Sequence, residues 1–393
     1  MRILHTSDWH IGRSFHGHST LEALRGVLET LTEQVRTHEV DLVIVAGDVF
    51  DSATPAAACY TLLTDTLVAL RETGAKVVVT SGNHDSAARL GFQARLLREG
   101  IHVLTDPSTL ATPVTLTDAD GPVHVYGIPY LEPALVRGVW DGVEVRTQHD
   151  ALAHAMDLVR ADLAERRRAQ GEGEPGARAI AIAHCFAAGV EPTPHLERDI
   201  QQGGLDVVAL EAFAGVDYVA LGHIHGRSQL APHIRYSGAP LHYGFGEGDK
   251  PRGSWLVDLD ASGAVAAQWL ELPVPRRLVT LRAPLAELLT DARFAVHEDD
   301  WVSAEYTDAT LQRDPMRRLQ ERFPYCAAVS HVPTVARSDD GLSYGQRVRT
   351  ARTDAEVFDA FLAHVRAGEG ASIQENALFR EVVDEGIRAG SAV

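Results

Sequence analysis

Eight side chains that bind metals or move protons each stand at the end of an apolar run: Asp8, His10, Asp48, Asn83, His84, His184, His223 and His225. The runs read LHTSDWH from Leu4, VIVAGD from Val43, VVVTSGNHD from Val77, AIAIAH from Ala179 and VALGHIH from Val219. Carboxylate, imidazole and amide oxygen together suit borderline divalent ions such as Mn²⁺ or Fe²⁺. Two ions held about 3.5–4 Å apart need one carboxylate in common. Asp48, at the end of the most central run, is the natural bridge. Asp8-x-His10 and His223-x-His225 use alternate positions, so both members of each pair can point the same way. A single histidine is more often a core or surface residue, and a single strand-Gly-Asp more often caps the next helix. The weight lies in all of them ending strands in step. Cys185 follows His184, but neighbours on a strand face opposite ways, which discounts a Cys–His nucleophile.

The elements that must position these residues can be read from periodicity. Residues 42–46 form an unbroken apolar run, the pattern of a strand buried on both faces in a parallel sheet. In open α/β sheets the C-terminal edge of such strands is where sites are built. Strands are expected at 1–5, 42–46, 76–80 and 102–104. Helices are expected at about 21–38, from Pro55 to Gly74, and at 87–98. This β-α-β-α-β-α order indicates an α/β layered domain. A hairpin follows around Asp118-Ala119-Asp120-Gly121. A long helix covers 151–170, and its run Glu165-Arg166-Arg167-Arg168 reads as a solvated face. Residues 171–176 form a loop. Strands at 179–183, 216–221, 234–236, 255–260 and 264–270 make the next part β-rich.

A linker at 273–277 is followed by a change of pattern. Short strands and helices from Leu278 to Val332 make a small α+β unit. Residues 337–352 are polar, and two amphipathic helices, 354–367 and 373–387, close the chain. The expected organisation is a core domain over 1–275, a second domain over 276–335, and a linker with terminal helices over 336–393.

The chain has 393 residues, 45% of them hydrophobic, which is enough for two or three domains with a sizeable core. No apolar run is long enough to span a bilayer. Asp8 and His10 interrupt any secretory pattern at the N-terminus. Cys59, Cys185 and Cys326 lack metal-like spacing and read as reduced, buried thiols of a cytosolic protein. With 54 acidic against 36 basic residues the net charge is −18. That argues against a free-standing nucleic-acid binder. It leaves open an enzyme acting on phosphates, where bound cations or a partner reverse the local charge.

Asp8-x-His10, Gly47-Asp48-x-x-Asp51, Gly82-Asn83-His84-Asp85, His184 and Gly222-His223-x-His225 resemble the complete, ordered motif set of the calcineurin-like metallophosphoesterases. The longer strings SDWHIGRSFHG, AGDVFD, SGNHDS, ALGHIHG and YSGAPL are similar to those of bacterial nuclease subunits that work with SbcC-type coiled-coil ATPases. These are relatives of the double-strand-break repair nucleases. The resemblance implies an α/β fold: a layered β-sandwich flanked by helices, with a small α+β capping domain and C-terminal helices. It implies one ion on Asp8, His10, Asp48 and His225, and a second on Asp48, Asn83, His184 and His223, with Mn²⁺ as the metal. It further implies in-line hydrolysis of DNA phosphodiesters, with exonuclease and hairpin endonuclease action. A homodimer within a heterotetramer in the cytoplasm, near the nucleoid, follows from the same resemblance. Asp51 departs from the archaeal and eukaryotic pattern, which has His there; phosphatases of the wider superfamily have Asp.

Two expectations concern residues around the metals. His84 follows a ligand without being assigned as one, which makes it the candidate general acid. Asp51, just past the neighbouring strand, is expected to set its tautomer through the carboxylate. In the tail, Val357, Phe358, Phe361, Leu362 and Val365 form one helical stripe, and Leu378, Phe379, Val382, Val383 and Ile387 another. They are expected to lie against the base of the ATPase coiled coil, with packing on their own domain as the competitor. A stand-alone metallophosphatase or cyclic phosphodiesterase on the same core is the alternative function; a stand-alone phosphatase has no need of the segment from Leu278 onward.

Overall fold

The computed structural model describes residues 1–97, 100–171, 176–188, 207–334, 344–366 and 370–390, with the side chains of 387–390 left aside. The interior of the loop at 171–176, much of the polar segment 337–352, Arg98 and the Ile387 side chain lie outside the described residues. The chain divides into two compact units, Met1–Pro275 and Arg276–Val393.

The first unit is built on two six-stranded sheets. One contains β1 (Arg2–Thr6), β2 (Leu42–Ala46), β3 (Lys76–Thr80) and β4 (Ile101–Leu104). The other contains β5 (Val114–Asp118), β6 (Gly121–Gly127), β7 (Arg178–His184), β8 (Tyr218–Gly222), β9 (Ser228–Ala231) and β10 (Ile234–Tyr236). The strands β11 (Gly253–Leu259) and β12 (Val265–Glu271) return to the first sheet, giving the order β12-β11-β1-β2-β3-β4. The second sheet has the order β9-β10-β8-β7-β6-β5. β1 to β4 run parallel, as do β10, β8, β7 and β6, so both sheets gather the C-terminal ends of their central strands.

The apolar run of β2 is explained by its two faces. Leu42, Ile44 and Ala46 join Ile180, Ile182, Tyr218 and Ala220 in the layer between the sheets. Val43 and Val45 pack outward with Leu24, Leu28 and Leu31 of α1 (Leu21–Thr37) and Leu62 and Leu70 of α2 (Ala57–Glu72). On the far side, α3 (Gln148–Ala169) covers the second sheet with Leu152, Met156, Val159 and Leu163. Burial of each such side chain is worth about 1.5–3 kcal/mol, which fixes the register of strands and hence of their terminal residues. The result is a four-layer α/β/β/α sandwich.

One expected helix is not continuous. The segment at 87–98 holds only the turn Ala87–Leu90 and a 3-10 turn, Ala94–Leu96. Gly91 and the left-handed Gln93 (φ 64°) interrupt it. Its apolar residues are left outside, with Phe92 and Leu96 exposed.

In the second unit, β13 (Leu278–Ala283), β14 (Trp301–Tyr306) and β15 (Cys326–His331) form a parallel sheet. It packs with α4 (Leu285–Thr290) and α5 (Pro315–Arg322) around Leu288, Leu319 and Phe323. Further along lie α6 (Tyr344–Thr350), α7 (Asp354–Val365) and α8 (Ile373–Gly390). The stripes of α7 and α8 meet each other in part: the Phe358 and Phe379 rings stack at 4.3 Å, and Leu362 is buried. Phe361, Leu378 and Val382 stay exposed at 47%, 61% and 59%.

Candidate metal centre

Asp8 and His10 follow β1, Asp48 follows β2, Asn83 and His84 follow β3, His184 ends β7, and His223 and His225 follow β8. Their backbones are not those of continuing strands. Asp8, His10, Asp48 and His223 have φ of 53°, 45°, 47° and 105°. Such conformations cost about 1–3 kcal/mol each and persist where surrounding contacts enforce them. Here Asp8 N–H donates to Gly47 O at 3.1 Å and His10 N–H to Asp48 O at 3.0 Å, tying the two strand ends together. Left-handed turns, not strand alternation, bring Asp8 and His10 to one side.

The side chains form two adjoining groups. Ligand atoms of Asp8, His10 and His225 lie within 4.8 Å of one another, and so do those of Asp8, Asp48 and His184. Asp48 Oδ2 faces both groups, 3.7 Å from His10 Nε2 and 3.4 Å from His184 Nε2. Its Oδ1 accepts the His84 N–H at 2.8 Å. Asn83 Oδ1 lies 3.0 Å from His184 Nε2 and 3.1 Å from His223 Nδ1. The eight candidate residues therefore meet at one place. His84 also has a ligand atom within 4.8 Å of His10 and Asp48.

Three glycines make this closeness possible. A Cβ on Gly82 would overlap the Asp48 carboxylate, one on Gly47 (φ 78°) the His184 ring, and one on Gly222 the Ala46 carbonyl.

The electrostatics are those of buried, closely opposed charges. Burial raises the Asp8 carboxyl above its ordinary range. Burial acts on Asp48 in the same direction, but facing His184 and His10 outweigh it and hold the carboxyl well below that range. Burial opposes protonation of His184, yet the opposed Asp48 carboxylate raises it to about 9. Burial lowers His10 to about 4 and His223 to about 3. Cys185 is fully buried, which pushes its thiol up to about 12 and rules it out as a nucleophile.

The donor set fits divalent cations. His10 Nδ1 lies 3.2 Å from Asp51 Oδ1, and His225 Nδ1 lies 3.3 Å from Glu247 Oε1. When each Nδ1 carries the proton toward its carboxylate, both Nε2 atoms present lone pairs. Those two Nε2 atoms face each other at 3.2 Å. A cation satisfies both lone pairs at once, and the adjacent Asp8 and Asp48 carboxylates supply the charge.

Asp51 does not reach His84 with its carboxylate, contrary to the expected dyad. Asp51 N–H donates to Ile11 O at 3.2 Å, which turns the residue toward the segment after β1. The carboxylate accepts from Arg13 Nη1 at 3.0 Å and faces His10. A full guanidinium charge is the stronger partner. His84 Nδ1 donates instead to the Asp51 backbone carbonyl at 2.9 Å, so its tautomer is set by main chain.

Two further residues act here in roles that the sequence does not assign. Asp85 accepts N–H groups from Val49, Phe50 and Gly82 at 2.8–3.0 Å and so clamps the loop after β3 to the one after β2. Burial and nearby Asp48 raise it to about 7. The string GNHD contains it, but its use of backbone donors gives no sequence signal. Glu247 lies past the last of the motif strings, in the short 3-10 turn Phe245–Glu247, where nothing in the sequence marks it.

Residues 1–227 match the family described as calcineurin-like phosphoesterase, and residues 274–366 match one described as type 5 capsule protein repressor C-terminal domain. The chain is 33% identical over 330 residues to SbcD, the D component of the nuclease SbcCD of Escherichia coli, covering 81% of each. It is 31% identical over 343 residues to the protein of the same name in Bacillus subtilis, covering 82% of this chain and 84% of that one. A solved structure from Thermus thermophilus, TT1561, aligns at 13% identity and a TM-score of 0.37, covering 68% of this chain and 98% of that one. The chain belongs to the calcineurin-like phosphoesterase family and, within it, to the SbcD nucleases.

Proposed function

We propose that this chain is the nuclease subunit of an SbcCD-type complex, hydrolysing DNA phosphodiesters with two divalent ions, Mn²⁺ first among them. The observation that supports this most is the convergence of Asp8, His10, Asp48, Asn83, His184, His223 and His225 from strand ends of both sheets. Asp8, His10, Asp48 and His225 would hold one ion; Asp48, Asn83, His184 and His223 the other, with Asp48 shared. Two such ions supply Lewis acidity to the phosphodiester and acidify the attacking water. The chain's own contribution is to hold ligands rigidly in a buried site, where the imidazole Nε2 atoms need no reorganisation. His84, anchored by its Nδ1–H on the Asp51 carbonyl, would give the departing oxygen a proton from Nε2 as the doubly protonated imidazolium, the neutral ring having only a lone pair there. Asp51 acts through His10 and Arg13 instead of through His84.

The exposed apolar residues of α7 and α8 are the surface for the SbcC-type coiled-coil ATPase. Residues 276–335 serve as the capping domain, and 336–393 as linker and partner-binding helices. A homodimer within a heterotetramer, cytoplasmic and near the nucleoid, completes the reading. Among the described residues no helix is long and apolar enough to cross a membrane. The test compares a labelled DNA hairpin with p-nitrophenyl phosphate in Mn²⁺, Mg²⁺ and chelator. Mn²⁺-dependent cleavage of the hairpin in clear excess over the monoester is expected. Faster turnover of the monoester would favour the stand-alone phosphatase.

A further inference from the structure

Glu247 lies outside every motif that marks the metal centre, yet it is completely buried. It stands at the end of the 3-10 turn Phe245–Glu247. A buried carboxylate is costly unless paired and hydrogen-bonded. Its Oε2 accepts the Tyr243 N–H at 2.8 Å and lies 3.8 Å from Arg252 Nη2. Its Oε1 lies 3.3 Å from His225 Nδ1. Oε1 and His225 Nδ1 are both buried and neither has another hydrogen-bond partner among the described residues, so their 3.3 Å approach is the pairing open to each. Arg252 Nη1 meanwhile donates to the His225 carbonyl at 2.6 Å and to Ala239 O at 3.3 Å. The carboxylate thus holds the side chain, and the guanidinium the main chain, of the same histidine.

We propose that Glu247 is a positioning residue that fixes the tautomer and ring orientation of His225 for cation binding, with Arg252 as its charge partner. A proton held on Nδ1 by the carboxylate leaves Nε2 as a lone pair, turned toward His10 Nε2 and the Asp8 carboxylate. The negative charge behind the ring also makes that lone pair more basic. The inference rests on the metal-centre reading and deepens it: only the ion held with His225 depends on Glu247. His184 takes its orientation from the Ala46 carbonyl at 3.0 Å, on a different strand, so the other ion is independent of this pair.

The test uses the full chain stripped of metal. Mn²⁺ is titrated with stoichiometry followed by electron paramagnetic resonance, and thermal unfolding is recorded without metal. Wild type is expected to bind two ions. Glu247→Ala is expected to weaken one of the two by about 10- to 100-fold while the other keeps its affinity. Glu247→Gln keeps the shape and an acceptor oxygen but not the charge, and is expected to lose less. It also remains informative if the alanine variant fails to fold. Unchanged affinity at both sites in the folded variants would overturn the proposal, as would equal weakening of both sites, which is the signature of a merely structural ion pair. A wild type that binds no Mn²⁺ would instead overturn the metal-centre reading on which the proposal stands.

Discussion

Replacing Gly222 by alanine perturbs the centre without replacing any of its candidate ligands. Gly222 ends β8 beside β7, with Cα paired to that of His184. A Cβ there would overlap the Ala46 carbonyl oxygen and lie 2.8 Å from His184 Nδ1. Both atoms belong to one contact, since His184 Nδ1 donates to Ala46 O at 3.0 Å. To restore van der Waals separation the carbonyl must retreat by roughly 1.5 Å. Ala46 immediately precedes Gly47 and Asp48, so the shift passes to the carboxylate that both halves of the site share. Overpacking of this kind costs about 1–3 kcal/mol of stability. A misplacement of about 1 Å at a reacting centre costs about 100-fold in rate. Gly222→Ala should therefore lower the melting temperature and reduce Mn²⁺-dependent hydrolysis of bis-p-nitrophenyl phosphate by about that factor. Gly226→Ala is the matched control, because the nearest atom to its Cβ is Lys250 Cδ at 3.9 Å; it should keep both properties. A Gly222→Ala enzyme with unaltered melting and rate would refute the view that this close approach sets the ligand geometry.

His84→Ala should remove most of the hydrolytic rate and leave Mn²⁺ stoichiometry intact; loss of an ion, checked by the same titration, would make His84 a ligand. Asp51→Asn should weaken the Arg13 and His10 contacts and lower Mn²⁺ affinity, while the His84 contribution persists because it rests on the Asp51 backbone carbonyl. Asp118 is held by buried Arg178, which outweighs burial and depresses its carboxyl well below the usual range. A carboxyl with a depressed folded pKa contributes stability in full above its unfolded value of about 3.9 and loses it as pH falls toward the folded value. Asp118→Asn should thus cost about 1–3 kcal/mol in urea unfolding at neutral pH, less than a fully buried pair because the carboxylate is part-exposed, with the gap to wild type closing only below about pH 4. Phe361→Asp with Leu378→Asp should abolish copurification with the coiled-coil ATPase and leave Mn²⁺-dependent hydrolysis by the isolated chain; retained copurification would move the contact elsewhere.

The sheet framework was legible because burial on two faces leaves a plain mark. The run Leu42–Ala46 could only be a central strand, and its place between β1 and β3 follows. The cluster of candidate ligands was legible because each member ends such a run. What the sequence did not reveal depends on backbone that leaves regular geometry. The left-handed Asp8, His10 and Asp48 look like strand residues by pattern, and their turn comes from hydrogen bonds between two strand ends. The Asp51 carboxylate meets Arg13 and His10 and not the expected His84, since a carboxylate three residues past a strand can turn either way until Arg13 is located. Glu247 and Asp85 were missed for one reason: both act on groups far away in sequence or on main chain, where residue type carries no signal. The segment at 87–98 has helical composition, and only the left-handed Gln93 shows that it breaks.

The central claim is that Asp48 serves both cations. The most direct measurement is anomalous scattering from Mn²⁺-soaked crystals of wild type and Asp48→Ala. Two ions are expected in wild type, with Asp48 serving both, and lowered occupancy with no hydrolysis in a variant that keeps its fold. Two fully occupied ions in Asp48→Ala, or a wild-type site that takes up no Mn²⁺, would contradict it.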